Sequence, residues 1–397
     1  MRSIELRSHR YSITFFLAFF VTSFLTLTAS AQTNTDNPIA SALLESLQER
    51  GLTLVHVGPV TVNGEVLTID GIEGYPTADQ RKRFKIGELA LSRATLENDG
   101  RLYIGAFAAT DFEIDEPAFS FVANKIAITD LYLPNSASQD DLVAALPASL
   151  YSFAEIEGLL FQDRRSGQSM PIERITIDFD TENNGFPIIA SIVVENIELN
   201  RSMFTLLQQQ VLVDLGLEQV TAGIEFQGVW NGDTGQLTIP SAAVVLQDLF
   251  GVQTSLELQG LTAPVIQQFS ELATRDHIIA LDLLQNVAIS TFNLSIIDEG
   301  GLDDLLDRQA QQHGQSRGAY VAQLTARIDE QIARIPDQSK QLEFSQAVIA
   351  FLQDPQNLTL SAAPASPIGI AQIIGVAAFS PVSIISLLGI GLEANVD

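Results

Sequence analysis

Two groups of carboxylates are the first residues in this sequence that could do chemistry. They lie in segments predicted to be β-strands: Asp178, Asp180 and Glu182 in one, and Asp111, Glu113 and Asp115 in the other. Acids two positions apart on a strand share a face and lie roughly 7 Å from one another. A hydrolase pair or a calcium site could use that spacing. The alternative is a solvated strand face whose charges discourage edge-to-edge aggregation.

Neither group matches a calcium-binding loop. The pattern D-x-[DN]-x-[DN]-G needs its glycine directly after the third ligand, whereas Gly185 comes two positions late. The segment "FQGVWNGDTGQLTIP" (226–240) contains one acid, Asp233, which is too few for such a site. Its residues 231–235 are rich in Asn, Gly and Asp, and they predict a turn between two strands, with Trp230 as a packing anchor.

The histidines do not form a metal-binding pattern. His56, His277 and His313 are far apart, and none shows a spacing such as His-x-x-x-His. The chain has no cysteine, which excludes thiol catalysis, and it has no nucleophile-elbow, phosphate-loop or dinucleotide motif. A triad assembled from distant segments stays open as an alternative. We therefore assign no catalytic, cofactor-binding or metal-binding residue, and we expect no cofactor.

The N-terminal segment predicts export. Arginines near the start are followed by an uncharged apolar run, 13–27, and then by Ala29-Ser30-Ala31, a small-x-small cleavage site. Residues 1–31 are thus predicted to be a signal peptide, and the alternative is an uncleaved membrane anchor. Export without cysteines favours the periplasm of a bacterial envelope.

The net charge of the chain limits the classes of partner that it can bind. The chain of 397 residues has 21 basic and 48 acidic side chains, a formal net charge of −27 at pH 7. Such a surface repels phosphate backbones, so we expect no nucleic-acid partner. It also disfavours electrostatic docking on anionic headgroups. A hydrophobic content of 46% indicates a large folded core.

Apolar periodicity predicts a β-rich region over residues 32–262. One amphipathic helix is predicted at 39–51, ending at Gly51, followed by a hairpin around Asn63-Gly64. Long alternating strands follow in two blocks, about 52–134 and 152–260, with a helical stretch near 203–215. The two blocks could be a diverged duplication, although no fixed period aligns them.

Residues 263–397 are predicted to be mainly helical, with one strand at 286–298. Helices are expected at 301–314, 317–336 and 340–353. The second of them has an apolar face that other residues must cover, formed by Tyr320, Leu324, Ile328 and Ile332. The tail carries no charge from Pro355 to Leu392, and two prolines make its apolar runs too short to span a bilayer. Segment 364–392 is expected to form two short buried helices that end in a strand; the alternative is a hairpin that touches a membrane.

Several segments resemble a known family. They are "GLEQVTAGIEFQGVWNGDTGQLTI", "SLELQGLT", "AFLQDPQNLTLSAAPASPIGI" and "LLGIGLEAN". With the predicted signal, N-terminal helix and hairpin, they resemble a family of uncharacterised secreted or periplasmic β-rich proteins of alphaproteobacteria. The resemblance implies a secreted or periplasmic location and an architecture of both helices and strands. It identifies no functional residue. Long antiparallel strands in an exported chain are also similar, at the level of fold, to envelope proteins that carry lipids in a sheet-lined groove.

These observations predict an exported α+β protein: an extended, twisted antiparallel sheet with a mainly helical C-terminal part packed on one face. The expected function is non-catalytic, either holding an apolar ligand such as a lipid acyl chain or serving as a scaffold for an envelope protein partner. After cleavage of the signal, no membrane span is expected. The alternative is a periplasmic hydrolase that uses the clustered carboxylates.

Overall fold

A computed structural model describes residues 36–98, 101–133, 150–181, 188–266, 268 and 284–396. Several predictions lie outside the described residues: the signal peptide 1–31, Glu182 with the Asn-Asn-Gly that follows it, and His277. A loop and a short helix are also predicted from the sequence at 135–150, and of these residues only the last is described. The chain divides into two compact units, residues 1–151 and residues 152–397. The described parts contain 18 strands, each paired antiparallel with its neighbours, so the α+β class with large antiparallel sheets is confirmed.

The first unit contains one described helix and eight strands. Their bounds are α1 Pro38–Glu49, β1 Leu52–Val57, β2 Val60–Asn63, β3 Val66–Ile69, β4 Ile72–Pro76, β5 Arg83–Ile86, β6 Glu88–Leu96, β7 Leu102–Asp115 and β8 Phe119–Leu133. β5 and β6 pair with the same edge of β7, so they form one long strand that is interrupted at Gly87. β3 and β4 form a second such strand, and β1 and β2 a third. The result is a meander of five long strands that ends at β8.

The interruptions form a row across this sheet. Gly58 donates its backbone N–H to Gly71 O at 2.8 Å, and Gly87 donates to Thr110 O at 2.9 Å. The neighbouring Asp111 has a φ of +50°, which breaks the strand alternation there. At the end of the sheet, Gly64 has a φ of +63° in the β2–β3 turn, so the predicted Asn-Gly hairpin is confirmed.

Helix α1 fills the apolar face of the first unit's sheet. It begins at Pro38, with the Asn37 side chain accepting hydrogen bonds from two backbone N–H groups at 2.9 and 3.1 Å. Leu43 and Leu44 are buried on its inner side. They belong to a core that includes fully buried Ile69 and Ile104 on the strands.

The second unit is a longer meander with helices inserted between its strands. The strands are β9 Phe153–Asp163, β10 Ser169–Thr181, β11 Ile188–Asn200, β12 Gln219–Asn231, β13 Gln236–Leu246, β14 Phe250–Gln259, β15 Ala288–Asp298, β16 Asn357–Ala362, β17 Ile368–Gly369 and β18 Ile390–Ala394. Each strand from β9 to β16 pairs with the next along the chain, and β18 pairs with β16. The short β17 extends the same edge of β15 that β16 occupies.

Six described α-helices belong to this second unit. They are α2 Leu206–Leu215, α3 Gly301–Gln312, α4 Arg317–Ile332, α5 Gln338–Gln353, α6 Ile370–Phe379 and α7 Ser383–Leu388. Side-chain caps set several starts: Thr205 and Gln208 form a capping box for α2, and Asp337 caps α5. The helices predicted near 203–215, 301–314, 317–336 and 340–353 are thus confirmed within a few residues. In the part of the chain described here, no helix is long and apolar enough to cross a membrane.

Two packing predictions need correction. In α4 the predicted row of Tyr320, Leu324, Ile328 and Ile332 is half-buried, and the fully buried residues lie one position along, at Val321 and Thr325. Thr325 tolerates burial because its hydroxyl donates to Val321 O at 2.9 Å. In the tail, α6 and α7 confirm two short helices followed by a strand, and α7 buries Leu388, but the burial of α6 was predicted wrongly. No residue of α6 is buried, and Phe379 at its end is 94% exposed.

Candidate functional site

The acids of β10 lie on an open strand surface. Asp178 is opposite Phe153 on one side and Ser191 on the other, and Asp180 is opposite Ile189. Both carboxylates are exposed. No third described acid joins them, since among the described residues no three His, Asp or Glu side chains are arranged to hold a metal ion.

The acids of β7 lie beside cations of β5. Glu113 is in register with Lys85, and Asp115 is in register with Arg83. Opposite charges on directly facing strand positions stabilise the pairing by a few tenths of a kcal/mol up to about 1 kcal/mol. This arrangement is that of a charged strand surface, the alternative to a hydrolase pair or a calcium site for these acids.

Among the described residues, the two carboxyl groups with lowered pKa values belong to turns. Hydrogen bonds from the Arg81 side chain lower the pKa of Asp79, in the β4–β5 connection. A hydrogen bond from the Arg165 backbone N–H, 2.8 Å long, lowers the pKa of Asp163 in the β9–β10 turn. Both shifts follow from local turn geometry and do not indicate a reactive cleft.

The described histidines are surface residues. His56 is exposed on β1. His313 follows the last turn of α3, with its Nδ1 2.8 Å from Gln309 O and its ring 5.4 Å from that of Tyr320. His313 is thus a helix-end residue.

The loop at 231–235 is a turn, as predicted. The Asn231 side chain accepts hydrogen bonds from the backbone N–H groups of Asp233 and Thr234 at 3.1 and 3.0 Å, and Gly235 has a φ of +73°. Trp230 is an anchor: its Nε1 donates to Leu261 O at 2.7 Å. This bond holds the chain that leaves β14 against the turn, a contact that sequence reasoning did not identify.

One face of the second unit's sheet is apolar over the six strands β11 to β16. Strand register decides which residues share that face, because directly opposite residues point to the same side. Ile192 on β11 is opposite Phe226 on β12, and Val244 on β13 is opposite Val252 on β14. We name this side the apolar face and define it by these central positions: Ile188, Ile192, Ile224, Phe226, Trp230, Leu237, Ile239, Val244, Val252, Leu256, Phe292, Leu294, Ile296, Leu358 and Leu360.

The two sides of this sheet differ sharply in polarity. Next to the apolar pair Ile192–Phe226, the opposite side carries Val193 facing Glu225. Further along, Gln253 faces Ser295 on that same polar side. Asp298, at the end of β15, is the charged residue among the described residues of β11–β16 on the apolar face. Its carboxylate accepts a hydrogen bond from the Leu302 backbone N–H at the start of α3.

The apolar face is incompletely covered. Val244, Phe250 and Ile296 remain 45%, 41% and 38% exposed, and the central pair Ile192–Phe226 is only partly buried. The equivalent side of the first unit differs: Ile69, Ile72 and Leu91 are 0% exposed. Coverage is best at one end of the second sheet, where Leu212 of α2 is buried with Val220 and Leu249.

Two clefts occur elsewhere among the described residues. One, of about 670 Å³, is lined in the first unit by residues 36–38 and 54–58 with Val60 and Val62. The other, of about 480 Å³, lies between α4 and α5. Each holds one or two charged side chains, and neither brings the acid clusters together.

The fold and the face define an α+β protein built on antiparallel meanders, one of which presents a partly open apolar surface. A protein-family model described as "Uncharacterized protein" matches residues 243–395, from β13 to the last strand. The chain is similar to that family over this C-terminal part, which includes three whole strands of the apolar face, β14 to β16, and the end of β13. No curated protein matches the chain.

Proposed function

We propose that this protein is exported to the periplasm and holds an apolar ligand, such as a lipid acyl chain, on the apolar face of its second unit. The proposed role is non-catalytic. The observation that supports it is the contrast in burial: one sheet of the chain has its apolar side filled, and the other leaves its apolar side partly exposed.

The physical reason is the cost of exposed apolar surface. Water contact with apolar atoms costs about 25 cal/mol per Å², and each methylene that an acyl chain buries contributes about 0.8 kcal/mol. A ligand of ten or more methylenes along several strands would therefore bind without any specific polar contact. Apart from Asp298 at its edge, the described residues of the apolar face on β11–β16 carry no charge, which fits an uncharged chain, because burial of an unpaired charge would be costly.

The proposed periplasmic location is inferred from the sequence. Residues 1–31 have the pattern of a cleavable signal, and the chain resembles secreted or periplasmic proteins of alphaproteobacteria. An envelope compartment is rich in acyl lipids, which suits the proposed ligand. A scaffold role with a protein partner remains the competing use of the same exposed surface.

Native mass spectrometry of the protein purified from periplasm without detergent is the first test. We expect extra mass that is lost on denaturation and that solvent extraction identifies as lipid. The polypeptide mass reports the N-terminus at the same time, and a chain beginning at Gln32 would support signal cleavage. A bare polypeptide that also fails to bind a fluorescent fatty acid would overturn the proposal.

Matched double variants locate the ligand. Ile192→Gln with Phe226→Gln changes a facing pair on the apolar face, whereas Val193→Gln with Glu225→Gln changes the adjacent facing pair on the polar side. We expect fatty-acid affinity to fall at least tenfold in the first variant and to stay within about twofold in the second. Equal effects of the two variants would place the ligand elsewhere.

A further inference from the structure

Helix α6 has an exposed face of unusual composition. Ile374, Gly375, Ala378 and Phe379 are exposed and lie at positions that share one side of a helix, with Ile374 48% and Phe379 94% exposed; Gln372, beside Phe379, is the one exposed polar side chain of the helix. No residue of this helix is buried. An isolated exposed apolar residue is ordinary, but a contiguous apolar helix face indicates an interaction surface.

Helix α3 of the same unit shows the ordinary pattern. Its exposed residues are all charged or amide side chains: Asp304, Asp307, Arg308, Gln311 and Gln312. The composition of the exposed face of α6 is therefore a local property and does not reflect the protein's surface in general.

The absence of charge extends well beyond α6. No Asp, Glu, Lys or Arg occurs from Pro355 to Leu392, in a chain whose formal net charge is −27. Within this stretch, α6 and α7 form a helical hairpin, with Ser380, Pro381 and Val382 as the connection; we name residues 370–388 the tail hairpin. Phe379 lies directly before the connection, at the tip.

We propose that the tail hairpin inserts its Phe379 tip and the exposed face of α6 into the interfacial region of a lipid bilayer. The hydrocarbon boundary excludes charge and needs no shape complementarity, which matches an uncharged tip with a protruding aromatic ring. A second copy of the chain fits less well. A stable protein–protein interface buries about 800 Å² on each partner and takes about 20–30 residues from it, whereas the exposed apolar face of α6 consists of four residues.

This contact would be hydrophobic in origin. The acidic surface is repelled by anionic headgroups, so insertion is expected to be stronger on uncharged phosphatidylcholine than on phosphatidylglycerol-containing bilayers. Salt screens that repulsion and therefore does not weaken binding. The hairpin leads directly into β18, which pairs with β16, and insertion would bring the bilayer close to this edge of the second sheet.

Vesicle flotation of the full protein tests the proposal. The probe is a phosphatidylcholine vesicle, and the variant is Ile374→Ser with Phe379→Ser. The control is Leu206→Ser with Leu342→Ser, which removes two side chains that are 85% and 61% exposed on α2 and α5. We expect the hairpin variant to lower the vesicle-bound fraction at least tenfold and the control to leave it within about twofold, with unchanged circular dichroism for both.

Three outcomes would overturn the inference. They are no flotation of the unmodified protein, equal loss in both variants, or a concentration-dependent dimer that the hairpin variant abolishes in the absence of vesicles. Fatty-acid binding measured on the same variants separates this inference from the proposed function. If acyl binding persists while flotation fails, only the membrane contact is wrong.

Discussion

Tyr151 has its pKa raised from 10.0 to about 12 because burial disfavours the charged phenolate. It is the last residue of the first unit, two positions before β9 in the sequence. A second tyrosine, Tyr103 on β7, has a raised pKa because its hydroxyl donates to Asp130 Oδ1 at 2.7 Å. The two shifts have different causes, so they respond differently to substitution.

The Tyr151 shift predicts a loss of stability at alkaline pH. The unfolded chain ionises this phenol near pH 10, before the folded chain does, so its contribution is fully present below pH 10 and is lost as the pH rises toward 12. The loss should amount to about 2 kcal/mol over that window. Denaturant unfolding from pH 9 to 12 measures it.

The variant Tyr151→Phe should flatten this alkaline dependence. Absorbance at 295 nm should then lack the phenol that ionises near pH 12. An unchanged pH profile in Tyr151→Phe would contradict the assignment.

Among the secondary-structure elements, the end of β14 is held by a close backbone approach. Gly260 follows β14 with a φ of +83°, and a Cβ there would lie 1.8 Å from Asn286 O. Gly314, which follows α3, also has a positive φ, +65°, but a Cβ there would meet nothing within 4 Å. Alanine substitutions at these two glycines therefore separate the cost of a left-handed backbone conformation from the cost of a steric contact.

Replacing each glycine by alanine should therefore have unequal effects. Gly314→Ala should cost about 1 kcal/mol of unfolding free energy, the ordinary cost of a left-handed alanine. Gly260→Ala should cost more than about 2 kcal/mol, because the Asn286 backbone must also shift. Urea unfolding of both variants checks this, and similar losses would show that the contact at Asn286 relaxes freely.

Helix α4 shows why element positions were easier to predict than element faces. Its start at Arg317, capped by Ser316, follows from local spacing. Its buried centre includes Thr325, whose hydroxyl bond to Val321 O makes a polar residue acceptable inside. An apolar-pattern search passes over such a residue because the compensating bond lies within the helix itself.

For the whole molecule, the two units differ in how their apolar sides are satisfied. The first unit has fully buried core residues, such as Leu44 and Ile104, between helix and sheet. The second leaves Val244 and Ile296 substantially exposed on the apolar face. A ligand that covers this face stabilises only the folded form of the unit to which it binds.

Hydrogen exchange with and without lauric acid should show that asymmetry. Amides of β11–β15 should gain protection that corresponds to about 2.7 kcal/mol at a free ligand concentration of 100 Kd. Amides of β6–β8 in the first unit serve as the internal control and should not change. Uniform protection in both units would contradict binding at the apolar face.

Local features of this protein were readable from sequence. The Asn63-Gly64 hairpin, the Trp230 turn and the helices α2 to α5 depend on the spacing of a few neighbouring residues, and spacing is what a sequence displays. The absence of charge in the tail was equally visible. The burial expected for helix α6 in that segment was wrong, because the sequence does not show what packs against an apolar helix.

Only the tertiary structure decided which apolar surfaces are covered. Period-two patterns in β6 and in β13 look alike, yet Leu91 is fully buried and Val244 is 45% exposed. The same holds for the acids, since the cations opposite Glu113 and Asp115 come from β5, some thirty residues earlier. Coverage and charge pairing depend on elements that are distant in the chain, and the alternation within one strand carries no information about what packs against it.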